Sequence, residues 1–347
     1  MRTETCMKGI AAALLAAACA TAPAEPPRSV AGSTFAANSP YATDAYPGFD
    51  GLDDIKRPEK KDKSWFNWVD RETAAEQYAL AQSLEAEGSY RKARRALDAL
   101  VREWPAAPES PHAQLRMAKI YAQHDKDYDS AIEELEYLLD FYPSECPYLE
   151  LVEYMYKLTN LMVKEKKTMF GFSFTSSRIV RQHYESVVRR APRAPYVPEA
   201  MLKIAEIREQ DNEHEEAVQV YGQLMMKFPK TPEADAAVYL QAKTRMWLCR
   251  RLSYNIPRCL DTSKYLKMML RDHPRHDHAD EMKEWLAELE RHLEEDAYAR
   301  ARFYDTKQRT PHAAAAAWER FLAEYPLSPH ADEIRARVEE LKKGNSK

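Results

Sequence analysis

Side chains able to hold a metal or move a proton cluster most densely at His273, His276 and His278, beside Asp272, Asp277 and Asp280. Imidazoles and carboxylates at such short range suit a transition metal. The cluster also surrounds Pro274, at a point where the chain's recurring pattern places a turn, and turns are polar without any ligand. No metal site is assigned on this ground.

A second candidate, His214-Glu215-Glu216-Ala217-Val218, begins like a zinc-protease helix but lacks the second histidine, and reads as a solvated helix face. The sequence has no glycine-rich phosphate loop and no nucleophile elbow. Acidic pairs are frequent, but on helix surfaces they give no acid–base signal without a pocket. Neither a cofactor nor an enzymatic activity is expected. Sulfur offers different chemistry. Cys249 and Cys259 lie ten apart around Ser253-Tyr254-Asn255-Ile256-Pro257, which reads as a turn between two helices. In an oxidising compartment a disulfide there would clamp the turn, worth roughly 2–3 kcal/mol. Two separately buried thiols are the other reading. Cys146, beside Pro147, would be left unpaired.

The elements that carry these residues are helical. Only 8 glycines occur in 347 residues, and Gly9, Gly32, Gly48 and Gly51 all lie near the start. The rest is rich in Ala, Leu, Glu, Lys and Arg, the strong helix formers, with no series of alternating β-branched residues. A formal charge of −4 offers no whole-protein attraction to nucleic acid or anionic lipid. Arg2 and Lys8 precede an apolar run, Ile10 to Ala20, of signal-peptide length. Ala16-Ala17-Ala18-Cys19 would make Cys19 a lipidation site, although Ala16 stands where Leu is usual; Ala22-Pro23-Ala24 offers an alternative cleavage site. Residues 1–24 are therefore expected to be an export signal. Residues 25–64, with scattered Pro, Gly and polar residues ending in a charged run, read as a disordered tether with a mean span of about 35 Å. Residues 65–345 hold the folded part.

That part repeats. Trp104-Pro105, Tyr142-Pro143, Phe228-Pro229 and Tyr325-Pro326 each have alanine twelve residues before the proline: Ala93, Ala131, Ala217 and Ala314. Alanine lets a second helix approach closely, the aromatic fills the space between hairpins, and proline stops the helix. Ala191-Pro192 and His273-Pro274 mark two degenerate units, with Val180 and Thr262 at the alanine position. The six prolines are spaced 38, 49, 37, 45 and 52 residues apart, so the longer intervals carry insertions or lengthened helices around a unit of about 34. Ser110-Pro111, Thr231-Pro232 and Ser328-Pro329 predict hydroxyl N-caps with proline at the first helical position. The expectation is an all-α fold: about six helical hairpins in a right-handed superhelical stack.

The alanine and terminal-proline positions, with the turns Gly88-Ser89-Tyr90 and Asp127-Tyr128, resemble the tetratricopeptide family. Units near 37–38 residues ending in aromatic-Pro-x-Ser/Thr/Ala-Pro, as in Phe228 to Pro232, resemble more narrowly the BamD family of lipoproteins. So does the end of the chain, from Ala299 to Tyr304 and on through Ala313–Ala317 to Pro329. That family usually has five units. The resemblance implies a non-enzymatic periplasmic scaffold, anchored to the outer membrane only through its lipid. One end would contact the β-barrel assembly protein and other subunits of the assembly machine. A groove at the other end would receive unfolded outer-membrane protein segments in extended form. In the first two units the groove positions fall on Tyr78, Gln82, Glu85, Arg116, Gln123 and His124. A division or envelope-coordination scaffold of the Tol-Pal type shares the same repeat features. Phe170, Phe172 and Phe174, around Gly171 and after the basic run Lys164 to Lys167, suit either a partner-binding loop or rings that cover a neighbouring hairpin's edge.

Overall fold

The computed structural model describes residues 69–166, 176–251, 255–308 and 310–344. All of them belong to one compact unit, Pro47–Lys347; a second unit, Met1–Tyr46, lies outside the described residues. The export signal with Cys19, the tether and the three phenylalanines at 170, 172 and 174 fall outside them as well. The described residues form thirteen α-helices and no strand. No helix among them is long and apolar enough to cross a membrane.

Six hairpins follow one another. They are α1 (Ala74–Ala86) with α2 (Tyr90–Glu103), α3 (Ser110–Ile120) with α4 (Tyr128–Phe141), and α5 (Tyr148–Lys166) with α6 (Ser177–Arg190). Then come α7 (Val197–Gln210) with α8 (His214–Lys227), α9 (Pro232–Arg251) with α10 (Ile256–Asp272), and α11 (Ala279–Phe303) with α12 (Pro311–Glu324). A last helix, α13 (Ala331–Gly344), covers the end of the sixth hairpin. The closest packing is between chain neighbours throughout, which is the quasi-one-dimensional arrangement of a repeat array.

The alanine positions explain how each hairpin closes. Ala93, Ala131 and Ala217 have no exposure, and Ala314 has 1%. The substitutes in the degenerate units, Val180 and Thr262, are buried too, at 1% and 2%. Leu97, Leu100, Leu135 and Leu138 continue the stripe into the core. At the four alanine crossings the buried methyl lets the helices approach closely, and overpacking such a site typically costs roughly 1–3 kcal/mol.

The prolines explain how one hairpin hands over to the next. The residue before each of them caps its helix in nearly one conformation, from Trp104 (φ −124°, ψ 61°) to Tyr325 (φ −126°, ψ 66°). The degenerate caps Ala191 and His273 share it. In all six the cap N–H donates to the carbonyl four residues back, at 2.7–3.0 Å. The cap carbonyl then accepts from the N–H three residues on, as in Trp104 with Ala107 and His273 with His276. The aromatic also ties neighbouring units: the Tyr142 hydroxyl donates to the Pro105 carbonyl at 2.6 Å.

Within hairpins one, two and four the connection needs a left-handed residue, supplied by Gly88 (φ 77°), Lys126 (φ 53°) and Asn212 (φ 63°). Only Gly88 takes this conformation free of steric cost. Lengthened first helices account for part of the irregular proline spacing. The first helices α5, α9 and α11 run to 19, 20 and 25 residues, against 13 for α1 and 14 for α7.

Three local expectations need correction. Thr231 caps as foreseen, its hydroxyl accepting from the Ala234 N–H at 3.3 Å. Ser110 is instead the first residue of α3, because Glu109 takes the cap position with helical dihedrals; the Ser110 hydroxyl donates back to the Trp104 carbonyl. Ser328 accepts from the His330 N–H, and α13 begins two residues after Pro329. The fifth hairpin's turn is also shorter than expected, since Asn255 caps α10, accepting from the Arg258 N–H, and Ile256 and Pro257 are already helical.

Candidate functional site

Five of the six groove residues come together. Tyr78 and Glu85 on α1 face Arg116 on α3, with Gln123 and His124 in the π-helical turn Tyr121–Asp125 that extends α3. They line an open concavity of about 340 Å³. Gln82 is exposed on α1 and does not line it. His112, Leu115, Lys119 and Ile120 complete the wall and were not anticipated. The signal was available: His112, Arg116, Lys119 and Gln123 follow the three- and four-residue spacing of one helix face.

The concavity is partly engaged with itself. Arg116 Nε is hydrogen-bonded and ion-paired to Glu85. That bond raises the guanidinium further above its ordinary range, assisted by the Tyr78 hydroxyl, so Arg116 stays a cation at every accessible pH. The His124 ring stacks on Tyr90, with centroids 3.4 Å apart and planes at 16°. His112 and Lys119 are exposed. With Arg116 paired to Glu85, the wall presents the Lys119 ammonium and the His112 and His124 imidazoles around a pre-positioned ion pair. Such a surface suits an extended chain carrying carboxylate and free backbone groups.

A second, larger concavity of about 580 Å³ lies between the second helices of hairpins three and four. Its floor is Val197, Met201 and Ile204 of α7, all buried. Val188, Arg189 and Pro192 form one wall; Gln219, Val220, Gln223 and Phe228 form the other. At one end Arg208 bridges Glu185 (2.9 Å) and Glu213 (3.0 Å), and Arg181 joins Glu213 at 2.6 Å. These ion pairs hold hairpins three and four together. This concavity was not legible in the sequence because its lining is assembled from three helices, α6, α7 and α8.

The remaining candidates are absorbed by packing. His276 is tucked into the turn before α11, its Nε2 3.1 Å from the Asp235 carbonyl, and His278 stacks on Tyr239 at 3.8 Å. Among the described residues no group of three His, Cys, Asp or Glu is placed to hold a metal ion. His214 is not a solvated residue: its ring packs on Trp247 with centroids 3.8 Å apart, while Glu215 pairs with Arg258. Cys249 and Cys259 are both buried thiols on facing helices, and Cys146 is half-buried.

Stacked two-helix units with alanine crossings and aromatic–proline joints define a tetratricopeptide-type interaction scaffold. Residues 70–222 and 176–344 match the family described as YfiO, outer membrane lipoprotein, so the chain belongs to that family. This is the BamD family that the repeat punctuation resembles. Solved structures with similarity include a tetratricopeptide repeat protein from Parabacteroides merdae, at 14% identity over 78% of this chain and 98% of that one, TM-score 0.28. The C-terminal part of a repeat-containing protein from Cytophaga hutchinsonii has 14% identity over 78% and 88%, TM-score 0.30. Pseudomonas aeruginosa pilF has 11% identity over 76% and 96%, TM-score 0.26. No curated protein sequence matches the chain. Family membership rests on the family match alone.

Proposed function

We propose that the protein is a non-enzymatic scaffold of the outer-membrane β-barrel assembly machine, held at the periplasmic face of the outer membrane by lipid on Cys19. The first concavity receives unfolded barrel precursors in extended form. The array's other end contacts the barrel-assembly protein and its companion subunits. The observation that carries the reading is the convergence of Tyr78, Glu85, Arg116, Gln123 and His124 on one open wall, within a chain of this family. An extended peptide brings unpaired N–H and C=O groups, which amide, imidazole and ammonium side chains satisfy. A precursor carboxylate would compete with Glu85 for the Arg116 fork.

Photo-crosslinkers placed at His112, Lys119 and Gln123 test the peptide site. Adducts with unfolded barrel-protein segments are expected at these positions and not at Gln219 or Gln223 in the second concavity. Capture of the same segments at the second concavity alone would reject the assignment. Affinity purification from the native envelope tests the machine. Barrel-assembly subunits are expected to co-purify; recovery of Tol-Pal components in their place would transfer the scaffold to envelope coordination. Replacement of Cys19 by Ala is expected to release the protein from membranes into the soluble fraction.

A further inference from the structure

The fifth hairpin is built differently at its mouth. Its second helix carries Thr262 where four other hairpins have alanine. Three residues earlier, hairpins one, two and four start that helix with a ring, Tyr90, Tyr128 or His214, whereas α10 has Cys259. The first helix of this hairpin, α9, is six residues longer than α7, 20 against 14, and the added length brings Cys249 opposite. Both cysteines have zero exposure. Cys249 Sγ lies 3.2 Å from the Thr262 hydroxyl, and both cysteines belong to one buried core cluster, Cys249 beside Cys259. Cys259 thus stands at the position that a ring takes in hairpins one, two and four, with Cys249 of the facing helix in the same buried cluster.

We infer that Cys249 and Cys259 are the reduced form of a structural disulfide, made in an oxidising compartment before the fifth hairpin closes. Each cysteine gives up its Sγ–H proton. The two electrons pass, by way of a mixed disulfide, to the disulfide of a thiol oxidoreductase, or to glutathione disulfide in vitro, and the acceptor leaves as thiols. The attacking species in such exchange is a thiolate. In the closed hairpin neither sulfur is open to solvent. Burial, with the adjacent Cys249 sulfur, also raises the Cys259 thiol well above its ordinary value. Oxidation therefore belongs to the open chain, and the finished bond is shielded from reductants. Cys146 stands apart, between α4 and α5, with its own thiol pushed up to about 12 by burial. The inference is independent of what either concavity binds.

The test uses the full chain directed to an oxidising periplasm and trapped with an alkylating agent at lysis. Peptide mapping without reductant is expected to show Cys249 joined to Cys259, two hydrogens lighter than the dithiol, and Cys146 alkylated. Reduction should lower the Tm by roughly 5 °C, while Cys249→Ala and Cys259→Ala variants should not respond to reductant. Glutathione disulfide should form the bond when present from the start of refolding and leave the folded dithiol unchanged over the same interval. Alkylation of both thiols in the trapped protein, or a bond from either to Cys146, overturns the disulfide. Equally fast oxidation of the folded dithiol overturns the order of events.

Discussion

The two concavities are made from the same repeat yet differ in what lies beneath them. The first has a wall of Glu85, Arg116, Lys119 and His124, side chains half-buried or exposed at the surface of hairpins one and two. The second is floored by Val197, Met201 and Ile204, whose other sides are the core of hairpins three and four. A polar wall can change its residues without disturbing the helices; an apolar floor cannot. The array therefore separates a surface free to specialise from one whose chemistry is tied to its stability.

Substitution of Met201 by Glu should give the largest effect, because it buries a carboxylate without a partner. A loss of about 4 kcal/mol is expected, read as a lower Tm and faster hydrogen exchange in α6 to α8. An unchanged Tm would show that the floor is not core. Reversal of Arg116 to Glu should barely move the melting transition, by less than about 1 kcal/mol for an exposed ion pair. It should nevertheless cut crosslinking of extended precursor segments at least tenfold, with partial recovery when Glu85→Arg is added. The same loss from Arg189→Glu would mean that the two concavities have been confused. Salt should separate them further. Capture of an acidic extended peptide by the first should weaken about threefold between 0.05 and 0.3 M salt. Binding of an apolar reporter dye to the second should change less than twofold and disappear in a Val188→Asp, Val220→Asp variant. The smallest effect is expected for Lys119→Ala: about a twofold weaker peptide affinity by fluorescence anisotropy, with the Tm unchanged.

What was legible in the chain follows the range of the physics involved. Alanine at a helix crossing and proline after a cap act within a dozen residues, so Ala93, Ala131, Ala217 and Ala314 marked the hairpins correctly. Even the degenerate caps Ala191 and His273 were found from proline alone. The lengths of α9 and α11 were not legible, since no glycine or proline punctuates them and their ends are set by packing. Ser110 looked like a cap because its role depends on where α3 begins, which Glu109 decides. In the first concavity the helical spacing that selected Arg116 and Gln123 also reached His112 and Lys119, but a residue's exposure beyond that face is a tertiary fact. His214 illustrates the same limit, since Trp247, 33 residues away in sequence, converts a polar position into a packed one.

The six equivalent joints have a consequence for how such a chain can vary. Every joint repeats one set of backbone bonds, while the helices leading away from it range from 11 to 25 residues. Connectors are standardised and spans are adjustable, as in a truss assembled from a single fitting and beams cut to different lengths. A span gains or loses turns at the hairpin tip, far from the fitting, so the neighbouring bays keep their alignment. The first helices of hairpins three, five and six thus run to different lengths from one standard joint.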